Sequence, residues 1–212
     1  MGNLPGSIAK RYDALSKETC CLSCGGAFAL AEINSGDICI DLGCGKGHDV
    51  LRMAVKTGAA GMALGIDISD GMLETAEKQA DAMGLDNVRF IKCQLEEIDI
   101  ESDFAHVVIS NCTINHSLVQ DKVWREIFRV LKPGGHFVVS DIYALAEIPE
   151  TYRNDPEMVA QCWAGAVTKN KYSQHVQDAG FTDIVILEES APYEKGQVHV
   201  ASFTIKGTKP IS

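Results

Sequence analysis

The sequence predicts one α/β domain: a mostly parallel sheet of seven strands with an antiparallel hairpin at one edge and helices on both faces. Three observations predict it. Short apolar runs alternate with helical periodicity from about residue 37 onward. Several of these runs are continuous rather than alternating, as in strands covered on both faces. The first of them leads directly into a Gly-rich segment that opens a helix, the arrangement that builds a ligand site at the carboxyl edge of a parallel sheet.

In chain order, the first five strands are centred on Ile38–Leu42, Met62–Ile66, Val88–Ile91, Val107–Ile109 and Phe137–Val139. Between them lie the helical stripes Val50/Leu51/Ala54/Val55, Met72/Leu73/Ala76/Ala80/Met83 and Val123/Ile127/Val130/Leu131, each with one apolar face. Lys132-Pro133-Gly134-Gly135 is expected to stop the third helix and turn the chain into the next strand. Tyr172/Val176/Ala179 marks a further helix ending at Gly180. The run Ile184–Leu187 and the alternating run that begins at Val198 then form the hairpin, joined by Ala191–Gly196. Residues 1–35 should hold helices near Ile8–Leu15 and Gly26–Ile33 as a cover over the ligand site, and residues 36–212 the binding domain.

Composition narrows the function. The chain has 212 residues, with 19 Lys+Arg against 29 Asp+Glu and a formal charge of −10, so no basic face is available for nucleic acid. With 46% apolar residues it can build a core without disulfide staples. No run of 18 apolar residues occurs, and Lys10, Arg11, Asp13, Lys17 and Glu18 interrupt the first 25, so neither a membrane span nor a signal peptide is expected. The reading is a cytoplasmic protein whose eight cysteines are thiols.

The densest motif is Asp41-Leu42-Gly43-Cys44-Gly45-Lys46-Gly47, whose glycines let backbone approach a ligand closely. The next strand ends at Asp67, 26 residues after Asp41, where a carboxylate can accept from ribose hydroxyls. His48 stands where a dinucleotide fingerprint has its third glycine, and Asp41 repels a pyrophosphate but attracts an ammonium group. That favours S-adenosylmethionine over a nicotinamide cofactor. With Leu131–Gly135 before the fifth strand, these segments resemble the class I S-adenosylmethionine-dependent methyltransferases, which are Rossmann-like. The resemblance implies a cofactor site of Asp41, Gly43, Gly45, Gly47, Asp67, Ile68 and Met72. It adds Gln94 and Leu95 at the adenine and Asn111 at the methionine moiety.

A narrower resemblance, to the arsenite methyltransferases, rests on Ser23-Cys24-Gly25-Gly26, Ser110-Asn111-Cys112-Thr113-Ile114-Asn115 and Gln161-Cys162-Trp163-Ala164-Gly165-Ala166. It implies that Cys24, Cys112 and Cys162 bind trivalent arsenic as substrate, with a thiol reductant as partner. Such arsenic is soft and prefers thiolate sulfur. Bound by three sulfurs, it keeps a lone pair that can be aimed at the cofactor's methyl group without a general base. The aromatic residues that usually precede the position of Cys24 are replaced by Cys21-Leu22-Ser23, so a ring covering the cofactor is expected to be missing. Cys20 and Cys21 can serve as an auxiliary thiol or, with Cys24, as part of a zinc element, although no second CxxC follows. Cys39 and Cys93 read as small core residues, and Cys44 as a variable loop position. His116, just after the Cys112 segment, reads as a solvent-facing or capping residue in preference to one that touches substrate, His48 as structural, and Trp163 as either a pocket wall or plain packing. Two alternatives stand beside this reading: a small-molecule O-, N- or C-methyltransferase, and a thiol-based metal or metalloid sensor on the same fold.

Overall fold

A computed structural model of the chain describes residues 3–18 and 25–211. The parallel strands are β1 (Ile38–Leu42), β2 (Met62–Asp67), β3 (Val88–Lys92), β4 (Ala105–Asn111) and β5 (Leu131–Ala144). Three more close the sheet: β6 (Thr182–Glu189), β7 (Tyr193–Lys195) and β8 (Val198–Thr208). Their order is β3-β2-β1-β4-β5-β8-β6, with β7 paired to β8; β8 runs antiparallel to β5, β6 and β7. The eighth strand is the one departure from the expected seven. It forms because Tyr193–Lys195, inside the expected connection, folds back on Val198–Val200.

The chain leaves β1 toward β2 and β3, then returns to place β4 on the other side of β1. This reversal opens a crevice at the carboxyl ends of β1 and β4. Leu42 and Ser110 are register partners there, and Ser110 Oγ donates to the Leu42 carbonyl at 2.9 Å. The Gly-rich segment and the Asn111-Cys112 segment therefore leave the sheet side by side.

Helices cover both faces. On one, α2 (Ala27–Leu30), α3 (His48–Thr57) and α4 (Asp70–Met83) pack around Cys39, Met53, Val107 and Val138. On the other, α5 (Gln120–Val130) and α8 (Lys169–Asp178) bury Trp124 and Tyr172 with Phe137, Phe181 and Phe203. Trp124 meets Phe137, Tyr172 and Phe181 edge to face, the arrangement that ring quadrupoles favour. Two short helices, α6 (Glu150–Arg153) and α7 (Pro156–Val159), follow β5.

At the N-terminus, α1 (Leu4–Leu15) begins four residues earlier than the periodicity suggests. Asn3 caps it by accepting from Gly6 N at 3.1 Å, and Pro5 suits a first turn in which its missing N–H is no loss. The second expected helix, over Gly26–Ile33, shrinks to the four residues of α2, and Ala27 and Ala31 bury themselves against the sheet. Nor does Lys132-Pro133-Gly134-Gly135 form a free turn: α5 stops at Val130 and this segment heads β5. Gly134 N donates to Lys209 O and Lys209 N to Gly135 O, each at 2.8 Å.

Replacing Trp124 by Ala removes the centre of the aromatic cluster. The expected cost is about 3–5 kcal/mol, read as a lower urea midpoint with an unchanged slope.

Candidate active site

A cavity of about 740 Å³ lies over the crevice, a size suited to a cofactor with substrate. Asp41, Gly43, Gly45, Asp67, Ile68, Met72, Gln94, Leu95, Asn111 and Cys112 all contribute to its wall. Gly47 does not; it is the N-cap of α3, at φ +79°, and packs toward Ala76. At Gly43, φ is +69° and a Cβ would fall 2.2 Å from Thr113 Oγ1, so only glycine lets the loop and the Cys112 segment meet.

Two buried carboxylates set the electrostatics. Asp67 Oδ2 accepts from Gly45 N and Oδ1 from Ser69 N, both at 2.9 Å, which fixes the acid at the end of β2. Burial still raises its pKa above the ordinary value. Burial raises Asp41 well above the usual carboxylate range, and the charges of Asp49 and Asp67 add to the effect. Two cations on the wall already have partners: Arg52 pairs with Asp49, also on the wall, at 2.8 Å and lies over the Phe28 ring, and Lys46 Nζ donates to the Glu18 carbonyl. The floor around Asp41 is therefore a pole that a positively charged ligand would relieve. Asn111 spans this region, donating from Nδ2 to Asp49 Oδ2 at 3.1 Å and accepting from Ala27 N at 3.2 Å.

The thiols separate by environment. Cys39 is buried in the core, its pKa pushed up to about 12 by burial. Cys44 is buried under the glycine loop, where burial and the charges of Asp67 and Asp41 raise its pKa well above normal. Cys93 packs against the core as expected but is only half-buried, with one side on the cavity wall. Cys20, Cys21 and Cys24 lie outside the described residues.

Cys112 and Cys162, 50 residues apart, come together. Cys162 Sγ donates to the Cys112 carbonyl at 3.4 Å and faces Asp141 Oδ1 at 3.9 Å. Cys162 is buried beneath the wall rather than on it. Both residues adopt left-handed backbone, φ +52° at Cys112 and +77° at Cys162, a region costly to residues with a Cβ. Each precedes a single-turn 3₁₀ helix, Ile114–His116 or Trp163–Gly165.

A buried amide network ties those turns together. Asn115 Nδ2 donates to Asp141 Oδ1 and to the Ile142 carbonyl, both at 2.7 Å. Gln120 Nε2 donates to Asn115 Oδ1 and to the Gly165 carbonyl, both at 3.0 Å. Burial lifts Asp141 to a pKa of about 7 despite the donors around it.

His116, expected at the surface, is buried and reaches the cavity wall, its Nε2 2.9 Å from the Tyr12 hydroxyl. His48 lies on the rim, and Trp163 packs edge to face on Tyr152 rather than lining the cavity. Neither Tyr12, which sits on the wall from α1, nor Asp141 belongs to a motif that marks it in the sequence. Only the position of Asp141 in the fifth strand pointed toward the carboxyl edge.

A model of a methyltransferase-domain family matches residues 33–180. The chain is 30% identical over 199 residues to the arsenite methyltransferase of Halobacterium salinarum, covering 89% of this chain and 51% of that one. It is 36% identical over 153 residues to the human arsenite methyltransferase, covering 67% and 40%. It thus spans about half the length of these curated relatives or less. Among solved structures, an arsenic(III) S-adenosylmethionine methyltransferase from Chlamydomonas reinhardtii superimposes with a TM-score of 0.78 at 30% identity, covering 96% of this chain and 74% of that one. The parallel sheet with its antiparallel edge, the glycine loop at the crevice and the family match agree: the chain belongs to the methyltransferase-domain family, on the class I S-adenosylmethionine-dependent fold.

Proposed function

We propose that the protein transfers methyl groups from S-adenosylmethionine to trivalent arsenic held by cysteine sulfur. The observation that carries this reading is the contact of Cys162 Sγ with the carbonyl of Cys112, both residues in left-handed backbone, with Cys112 on the cavity wall and Cys162 directly beneath it. Cys24 is proposed as the third sulfur, and it lies outside the described residues.

The wall suits the cofactor. Asp67, fixed by two backbone amides, has lone pairs left for ribose hydroxyls. Asp41 offers buried negative charge to an ammonium group, and Gln94, Leu95, Ile68 and Met72 offer an amide and apolar surface to adenine. When bound, the cofactor supplies an electrophilic methyl group on a positively charged sulfur. The residues of this chain then have two tasks, to hold the cofactor through its ammonium group and ribose at Asp41 and Asp67, and to hold arsenic in line with the methyl group.

Loading arsenic needs no separate base. Each S–H exchanges with an As–OH of arsenous acid, forming As–S and releasing water, so the thiol proton leaves with the hydroxyl. Three such exchanges leave arsenic with only its lone pair toward the methyl group, and alignment does the remaining work. The substrate is neutral, so the acidic cavity does not repel it. The thiols must stay reduced, so we place the reaction in the cytoplasm with a thiol reductant; among the described residues no helix is long and apolar enough to cross a membrane.

Incubation with arsenite, a thiol and S-adenosylmethionine should yield methylated arsenic, resolved by chromatography with mass detection. Cys112→Ser and Cys162→Ser should each lower the rate by about two orders of magnitude while leaving cofactor affinity nearly unchanged. Full activity in either variant would remove that thiol from the site.

Asp41 gives a second prediction, with a definite sign. Its folded pKa lies above the unfolded value, so its stabilising contribution is complete below the unfolded pKa and is lost as pH rises through the folded one. At neutral pH the chain without cofactor carries a penalty. Asp41→Asn should therefore raise the thermal midpoint by about 2–4 °C for each kcal/mol relieved, and weaken cofactor binding by about tenfold or more. Cofactor affinity of the wild type should fall as pH drops through the raised pKa of Asp41, measured by calorimetry.

A further inference from the structure

Helix α1 turns Leu4, Ile8 and Tyr12, at i, i+4 and i+8, toward the cavity. The next residue anchors it: Asp13 Oδ1 accepts from Ser69 Oγ at 2.6 Å and from Gly71 N at 3.0 Å, at the first turn of α4. Those bonds, the Ser69 hydroxyl foremost, hold the Asp13 carboxyl below its usual pKa. Tyr12 makes the second attachment, to a different part of the fold.

The Tyr12 hydroxyl lies 2.9 Å from His116 Nε2, and the two rings meet edge to face with centroids 5.4 Å apart. His116 Nδ1 lies 3.1 Å from the Val159 carbonyl. A carbonyl only accepts, so Nδ1 carries the ring proton and Nε2 is left to accept from Tyr12. Burial keeps the imidazole neutral, with its pKa pushed down to about 4. A chain of hydrogen bonds thus runs from α1, through the turn four residues after Cys112, to the last residue of α7, three positions before Cys162. Burial keeps the Tyr12 phenol protonated, so its hydroxyl is the donor in the bond to His116.

We propose that the Tyr12–His116 hydrogen bond is a latch, and that Tyr12 is a positioning residue holding α1 closed over the methyl-transfer cavity against the segments that carry Cys112 and Cys162. The bond joins residues 104 positions apart and leaves a buried ring nitrogen with no donor when broken. A closed latch slows cofactor exchange and fixes the two cysteine turns relative to the bound methyl donor. The effect on turnover rests on the arsenic reading above; the effect on cofactor release does not.

The test measures release of S-adenosylhomocysteine from the full chain by stopped-flow fluorescence. Tyr12→Phe keeps the ring and removes the hydroxyl, and should speed release about fivefold, the scale of one hydrogen bond. His116→Leu should act similarly, and the double variant should be no faster than the faster single one, because both remove the same bond. For arsenite methylation by Tyr12→Phe, kcat per active site, with sites counted by S-adenosylhomocysteine titration so that loss of folded protein does not enter, should fall while the KM for arsenite changes by less than about twofold. Unchanged release in Tyr12→Phe, or multiplicative effects in the double variant, would overturn the latch. Should His116→Leu fail to fold, Tyr12→Phe alone decides the matter. Faster release in Tyr12→Phe, from a wild type that methylates no arsenic, would support the latch and sink the arsenic reading.

Discussion

The side-chain amide of Asn115 is the constraint on which the geometry of the site depends. It is fully buried, uses both N–H groups on the carboxyl end of β5 and accepts from Gln120, whose other N–H reaches the Gly165 carbonyl. Three segments far apart in sequence are thereby locked: the turn after Cys112, the end of β5 and the turn after Cys162. Gly165 is required for the same closeness, since a Cβ there would fall 1.8 Å from the Asn115 carbonyl oxygen. Left-handed backbone at a residue with a Cβ costs on the order of 1–3 kcal/mol. A satisfied, buried amide network is the kind of support that lets two such residues persist side by side. The network is not complete, because Gln120 Oε1 and Asp141 Oδ2 remain without hydrogen-bond partners among the described residues. Of the two, Asp141 stands beside a strained cysteine, its Oδ1 3.9 Å from Cys162 Sγ.

Charge follows the same logic on the cofactor side. Asp41 and Asp67 are buried within reach of each other's charge, and both have raised pKa values. An apolar ligand would leave that cost in place, whereas a cationic one offsets it, so the acids select for positive charge at the cavity floor. Neutral His116, with its proton committed to Val159, adds no competing cation beside the thiols. The buried acids Asp41 and Asp67 and the neutral imidazole of His116 thus face the same cavity.

Much of the fold was legible because its signals are local. Continuous apolar runs, one glycine segment and one turn acid mark the strands along the chain and the carboxyl edge where the crevice lies, whereas the order of strands within the sheet comes from the structure. The departures have local causes too. Tyr193–Lys195 is a three-residue strand after Pro192, too short for any periodicity to register. Ala27–Leu30 buries small residues against the sheet instead of presenting the amphipathic face of a longer helix. The site was less legible. Asp41, Asp67 and Asn111 could be read from their positions at strand ends, but the polar environment of His116 comes from Tyr12 and Val159, 104 and 43 residues away. Nor does any spacing reveal that Cys162 lies beneath the wall, on the carbonyl of Cys112. Contacts of that kind arise from tertiary closure, which one-dimensional patterns do not encode.

The central claim is that Cys112 and Cys162 hold arsenic through sulfur. X-ray absorption at the arsenic edge on the arsenite-loaded full chain tests it most directly, since sulfur and oxygen neighbours scatter at clearly different distances. The expected shell is three sulfurs without oxygen, with oxygen replacing sulfur when Cys112 and Cys162 are both changed to Ser. An oxygen-dominated shell in the wild type, or a sulfur shell unaffected by that double change, would contradict it.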